Sequence, residues 1–455
     1  MLSAIFDRFI EASPLSVMVR GLMERVLATE AMERIFAENA KVQYTRELLF
    51  SSVVELMSLV VCGIYPSVNA AYRAKAQELN VSRTAIYDKL NGIEQQVSEA
   101  MVRETAIPLA RLIKFVEGTS PQLLKGYQIR ILDGNCLATT DHRLEVLRTI
   151  GAGALPGKSI VVLDPQLRLA INIFTTQDGH AQERSLFNQV LATVSKGELW
   201  IGDRNMCTVG FLLGLHRKGA SFVIREHKSM PWTSLTTLQA NGSVETGELF
   251  EQTVQITQAK ESLVMRRVVL KLKKPTRNGE KEIAIFTPLP PNLATPATIA
   301  ELYRGRRSVE NLFQTVTENY ECEIQTLGYP KAALFSFCLA MVAYNILATV
   351  RAVLGSVHGI GKIEAGLSDY YMVDEIQGTY RGMMIAIPSE HWRIFSEYSL
   401  DELALVLQHL AGQVRLSSLL KQPRAPKKKK DPPRYDPRHP HVSTAKLLSQ
   451  VNKSP

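Results

Sequence analysis

The sequence predicts an α/β protein in which an all-helical N-terminal domain precedes a mixed sheet carrying an inserted β-rich subdomain. Three observations lead there. Residues 1–120 space their apolar residues by three and four, as buried helix faces require, with few strand-like runs. From Leu123 to Arg225, short apolar runs of strand length alternate with helical segments. Residues 226–298 are rich in Thr, Val, Gln and charge and alternate in polarity, as in Glu251-Gln-Thr-Val-Gln-Ile-Thr257.

The elements follow in chain order. Ala70 to Leu90 has the form of a helix-turn-helix: a helix to Leu79, a turn at Asn80-Val81, and Ser82 as N-cap of a second helix. That helix offers Arg83, Thr84, Tyr87 and Lys89 for phosphates and base edges, although a helical hairpin with no DNA role has the same pattern. Gly126 to Asp133 reads as a strand ending in an aspartate, and Lys158 to Phe174 as two strands joined at Asp164-Pro165. Asp178 caps a helix running through Val194, Glu198 to Asp203 is a strand ending in a second aspartate, Cys207 to Arg217 is a helix, and Ala220 to Arg225 a fifth strand. The insertion reads as a small sheet of its own with a turn at Arg277 to Gly279, ended by Pro288-Leu-Pro-Pro-Asn292. Helices then run to about Leu354, and a mixed segment includes a helix from Leu400 to Leu420.

Three strands, helix, strand, helix, strand is the order of a ribonuclease H-like domain, and the resemblance organises the chain. It implies a catalytic core in two parts, 121–225 and 299–355, divided by the insertion at 226–298. Residues 1–120 are then a helical DNA-binding domain, 356–420 a mixed helical segment, and 421–455 a basic disordered tail. The first and fourth strands of such a sheet are neighbours, which brings Asp133 and Asp203 together.

Glu301 to Thr317 is predicted as one helix. At about 100° per residue, Tyr303, Arg306, Glu310 and Thr317 share one stripe, beside an apolar stripe of Leu302, Val309, Phe313 and Val316. A carboxylate among arginines suits either a surface ion pair or a metal ligand near phosphate. With Asp133 and Asp203, Glu310 completes three oxygen ligands able to hold two magnesium ions, which stabilise the attacking and leaving oxygens of an in-line displacement at phosphorus. Either aspartate alone is also an ordinary turn residue at a strand end.

Asp133-Gly-Asn, Asp203-Arg-Asn and Tyr303-x-x-Arg306-x-x-x-Glu310 resemble the three acidic motifs of DDE transposases of the insertion-sequence-four type, over residues 125–350. The resemblance implies a DNA transposase that cleaves the inverted ends of its element and joins the 3′ ends to target DNA. Asp133, Asp203 and Glu310 are then the catalytic metal ligands for two magnesium ions, with manganese as a substitute. Tyr303 and Arg306 are contacts to end phosphates. Where the family has a lysine, this chain has Thr317, and Arg304 and Arg307 are the nearby charges available to compensate. Implied partners are element-end and target DNA, with a homodimer on DNA and no membrane. A structure-directed nuclease and a non-catalytic DNA-binding derivative remain alternative functions. Trp232 in the insertion is either a core residue or, as in some relatives, a stacking platform for a flipped base.

The net charge of +9 is almost entirely a property of the tail, where ten Lys and Arg stand against Asp431 and Asp436. The remainder is nearly balanced, so the charge says little about the folded body. Lys427 and Lys428, in the run to Lys430, are candidate DNA contacts or a solvated arm. Five scattered cysteines without ligand spacing suggest reduced thiols, and the N-terminus lacks a signal-peptide pattern, so a bacterial cytoplasmic, nucleoid-associated protein is expected. Ala332 to Val350 approaches the length of a membrane span, but Ser336, Tyr344 and Asn345 within it favour a buried core helix.

Overall fold

The computed structural model describes residues 2–42, 48–276, 278–320, 324–422 and 440–451. The chain has a mixed α/β fold, with a helical N-terminal region and a large mixed sheet. Helices from Asp7–Ala12 to Gln95–Phe115 open it. The predicted helix-turn-helix forms. Helix α1 (Val68–Leu79) stops at Asn80, a residue type that tolerates the left-handed φ of 49° found there. Helix α2 (Arg83–Gly92) begins on Ser82, whose Oγ accepts the Ala85 N–H at 3.2 Å, and Tyr72 donates its hydroxyl to Val81 O at 2.7 Å across the turn. Ile86 and Leu90 are fully buried and fix the inner face of α2.

The strands are β1 (Gln128–Cys136), β2 (Gly153–Leu155), β3 (Lys158–Asp164), β4 (Leu169–Thr176), β5 (Glu198–Gly202), β6 (Ser221–Arg225), β7 (Thr233–Ser234), β8 (Gln239–Val244), β9 (Gly247–Gln258), β10 (Glu261–Leu272), β11 (Glu282–Thr287) and β12 (His441–Ser443). The main sheet runs β4-β3-β1-β5-β6-β11-β10-β9-β7, with β8 also on β9. β1, β5 and β6 are parallel and central, and every residue of β5 is buried, as a parallel strand covered on both faces must be. The insertion is not the separate small sheet its composition suggests. β11 pairs with β6 through Ile285↔Arg225 and Phe286↔Ile224, so the insertion satisfies the open edge of β6 and extends the core sheet.

Two predicted helices are broken. The segment after Asp178 begins as a 3-10 turn at Glu183–Leu186 before the short helix Phe187–Thr193. Glu301 to Thr317 divides into α3 (Pro296–Arg304) and α4 (Arg307–Asn319), with Gly305 and Arg306 between them. There the Arg306 N–H bonds to Tyr303 O at 3.1 Å and the Ser308 N–H to Gly305 O at 3.0 Å, the i to i+3 pattern of a tighter turn. The single stripe of the ideal helix is therefore displaced at Arg306.

Helix α5 (Pro330–His358) settles the apolar segment: 94% of its most apolar window is buried inside the protein. It packs against β4 and against helices Pro14–Val26, Phe50–Val61, Gln95–Phe115 and Leu400–Gln413. The N-terminal helices, α5 and the C-terminal helices consequently share one hydrophobic core. The tail, expected to be wholly disordered, is ordered at its far part. β12 pairs in parallel with β2, the helix Thr444–Val451 follows, and Lys446 meets Asp178 at 2.9 Å. Val442, Ala445, Leu447 and Leu448 give that short piece the apolar residues the lysine-rich part lacks. Lys427, Lys428 and Arg277 lie outside the described residues.

Candidate active site

The strand register builds the site. β1 and β5 are paired in parallel up to Leu132↔Gly202. Asp133 and Asp203 are the next residues on the two strands, at the carboxyl ends of the parallel pair, where α/β sheets open a crevice. β1 does not end at Asp133 as predicted. It continues to Cys136 on β3, with Asp133 opposite Val161, because only its β5 side loses a partner. Asp203 is held as the N-cap of the turn Arg204–Met206, its Oδ1 accepting the Asn205 N–H at 2.8 Å.

From the other side comes the turn between α3 and α4. Arg306 donates Nη1 to Asp133 Oδ2 at 2.8 Å and Nη2 to Glu310 Oε1, so one guanidinium bridges two of the three acids. Asp133 is 16% exposed in its side chain, Arg306 18%, and Glu310 50%. Burial, and then the charges of Asp203 and Glu310, push the Asp133 carboxyl up to about 7, against the pull of Arg306 and of the Gly134 N–H that reaches its Oδ1 at 3.0 Å. Among the described residues, no three His, Cys, Asp or Glu are gathered closely enough to hold a metal ion as they stand. Arg306 fills the gap. Its guanidinium is the cation around which Asp133 and Glu310 are arranged, and the donor set is all oxygen, so hard divalent ions suit these residues once Arg306 moves aside. Asn135 follows on the same face of β1, and its buried Nδ2 has no hydrogen-bond partner.

Tyr303 packs beside them, bonded to Arg225, with the Arg306 guanidinium 6.0 Å from its ring centre. Arg225 and Arg204 meet on Glu280 Oε1 at 2.6 and 3.0 Å, which ties the insertion to the turn after Asp203. A cavity of about 340 Å³ adjoins Tyr303, Arg306 and Glu310, floored by Leu270 and Ile285 and rimmed by Arg225, Arg304 and Arg307. Residues 124–346 match the family model described as Transposase DDE domain. The chain carries a transposase DDE domain.

No curated protein matches the chain. Among solved structures it is similar to a piggyBac transposase, described by cryo-EM as a synaptic complex with hairpin DNA. The identity is 11%, the alignment covers 87% of this chain and 85% of that one, and the TM-score is 0.37.

Not every predicted residue of the DDE domain and its flanks reaches the site. Arg304 is exposed, pairs with Glu301 at 3.2 Å and reaches only the rim of the cavity. The Thr317 hydroxyl turns back to Phe313 O at 2.8 Å, so it offers nothing to a phosphate in this arrangement. On α2, Arg83 and Thr84 are exposed, whereas Tyr87 packs against the core and Lys89 lies 4.5 Å over the Phe36 ring. Trp232 donates Nε1 to Glu226 at 2.7 Å and is covered by Arg267, 4.9 Å from the ring centre, so this face is closed to a base. What the sequence missed is Glu183. Its carboxylate lies against the α-carbon side of Gly134, and no local pattern marks it in Gln182-Glu-Arg-Ser185.

The raised Asp133 carboxyl has a pH signature. Its folded value lies above the ordinary carboxylate range of about 3.9, so the stability it confers is complete below about pH 4 and is lost as pH rises through 7. Asp133→Asn in the metal-free protein is expected to raise the melting temperature at pH 8 and to leave it unchanged near pH 4. Scanning fluorimetry in a chelator reads this, and a variant melting lower at pH 8 contradicts it.

Proposed function

We propose that the chain is a DNA transposase of the insertion-sequence-four type, which binds the inverted ends of its element, cleaves strands by metal-dependent hydrolysis and joins the 3′ ends to target DNA. The observation that carries this reading is the convergence of Asp133, Asp203 and Glu310 at the open end of β1 and β5, inside a transposase DDE domain and beside an arginine-rimmed cavity.

Asp133, Asp203 and Glu310 hold the cations. When bound, magnesium supplies Lewis-acid stabilisation of the charge that develops at the phosphorus and activation of the attacking oxygen. The rest of the work falls to the chain's own residues. Arg306, which bonds Asp133 and Glu310 here, would turn to a DNA phosphate, a natural acceptor for a planar guanidinium, where these acids hold a cation. Tyr303 stays beside it, oriented by Arg225. The unpartnered Asn135 Nδ2 is a donor for an oxygen of the scissile region. Exposed Arg83 and Thr84 on α2 serve end binding, in a homodimer that pairs two ends in the bacterial cytoplasm.

A second reading, a DNA-binding protein that has lost catalysis, is favoured by Thr317, whose hydroxyl is spent on its own helix. One experiment separates the two. The purified chain is incubated with a labelled duplex carrying the element end and its flank, with magnesium or with calcium, and the strands are resolved on a denaturing gel. Nicking at the end with magnesium only is the expected result. Specific binding without nicking establishes the second reading instead.

A further inference from the structure

We propose that Glu183 is a fourth carboxylate of the cation centre, partnering Asp203 as Glu310 partners Asp133; this rests on the metal-dependent reading above. The carboxylates are grouped in two pairs. Arg306 joins Asp133 to Glu310 from the α3–α4 turn. Asn205 joins Asp203 to Glu183: its backbone N–H goes to Asp203 and its side chain donates to Glu183. Each acid pair is thus held by a neutral or cationic donor from the protein, and the two pairs meet across β1 and β5.

Gly134 makes the second pair possible. A Cβ at this position would stand 2.3 Å from Glu183 Cδ and Oε1, closer than non-bonded atoms approach, so the carboxylate occupies the space that a side chain next to Asp133 would take. The backbone there needs no positive φ, and the glycine is therefore a matter of room, not of backbone conformation. A glutamate kept against Asp203 despite repulsion, with the buried and unpartnered Nδ2 of Asn135 on the neighbouring strand position, is the arrangement expected where a cation and its phosphate oxygens complete the bonding.

The test uses the full chain and calcium, which occupies such centres without supporting cleavage. Calcium affinity is measured by titration calorimetry for the native protein, Glu183→Gln, Gly134→Ala and Asp203→Asn. Glu183→Gln is expected to bind calcium at least about 10-fold more weakly. Gly134→Ala, which displaces the carboxylate end of a flexible side chain and leaves the backbone intact, is expected to weaken binding in the same direction. Melting in a chelator shows that each variant is folded. If Asp203→Asn loses calcium and the Glu183 and Gly134 variants bind it normally, the proposal is overturned and the metal-dependent reading stands. If Asp203→Asn also binds as the native chain does, or the native chain binds no calcium, the reading of the whole centre falls and Glu183 falls with it.

Discussion

Asp133→Asn, Asp203→Asn and Glu310→Gln are each expected to lower magnesium-dependent strand cleavage by roughly 10³-fold or more. Each removes an anionic oxygen ligand, and metal stabilisation of transition-state charge is worth several kcal/mol at about 1.36 kcal/mol per tenfold in rate. Binding of end DNA in a chelator is expected to persist, because each change deletes a negative charge near the phosphates and touches none of the exposed residues of α2. The three variants should differ in fold stability. Glu310→Gln takes an anion from Arg306 without relieving a buried charge, Asp133→Asn takes one but relieves the buried carboxylate, and Asp203 keeps its N-cap role as an asparagine. Cleavage assayed on a denaturing gel, beside a gel-shift assay of binding, separates the two effects. Cleavage retained in all three variants would sink the metal-centre reading.

Asn345→Leu is the second large effect, and it acts far from the chemistry. Asn345 sits fully buried in the apolar helix α5. Its side chain accepts from Ala170 N at 2.8 Å and donates to Ala170 O at 2.8 Å. Ala170 stays opposite Leu163 on β3, next to Ile171, the extra residue where the β3–β4 ladder slips, and β4 is the edge strand of the sheet. Asn345 pairs both backbone groups of Ala170 there. Leucine there leaves two buried backbone groups without partners, each costing about 1–3 kcal/mol, so a loss on the order of 2–5 kcal/mol is expected. Urea unfolding reads it as a lower midpoint; an unchanged midpoint would show that the Ala170 backbone does not depend on α5.

This residue also explains why a helix with the composition of a membrane span belongs to the core. Its polar side chain is committed to the sheet, and the helices from both ends of the chain close around it.

The helical start, the alternation of strands and helices, the turn at Asn80, the cap at Ser82 and the acidic motifs were legible in the sequence. They are local. Helix and strand periods, capping side chains and turn residues act over a few residues, and a linear reading captures such patterns. The two aspartates were predicted to meet because the resemblance to a ribonuclease H-like sheet makes its first and fourth strands neighbours, and the register Leu132↔Gly202 gives that meeting its place.

Tertiary structure decided the rest. The edge of β6 recruited β11, which turned an expected separate sheet into an extension of the core. Pairing with β2 ordered residues 441–443 of a tail whose composition alone predicts disorder. The break at Gly305-Arg306 carried Arg306 onto Asp133, and the space over Gly134 admitted Glu183 from a different loop. Lys89 and Tyr87, suited by type to DNA, were drawn against apolar neighbours instead. The sequence by itself determined which elements form and which acids they carry, because those depend on near neighbours. Which acids share a cation, and which basic side chains remain free for DNA, depends on contacts between segments far apart in the chain, where burial and edge pairing outweigh local preference.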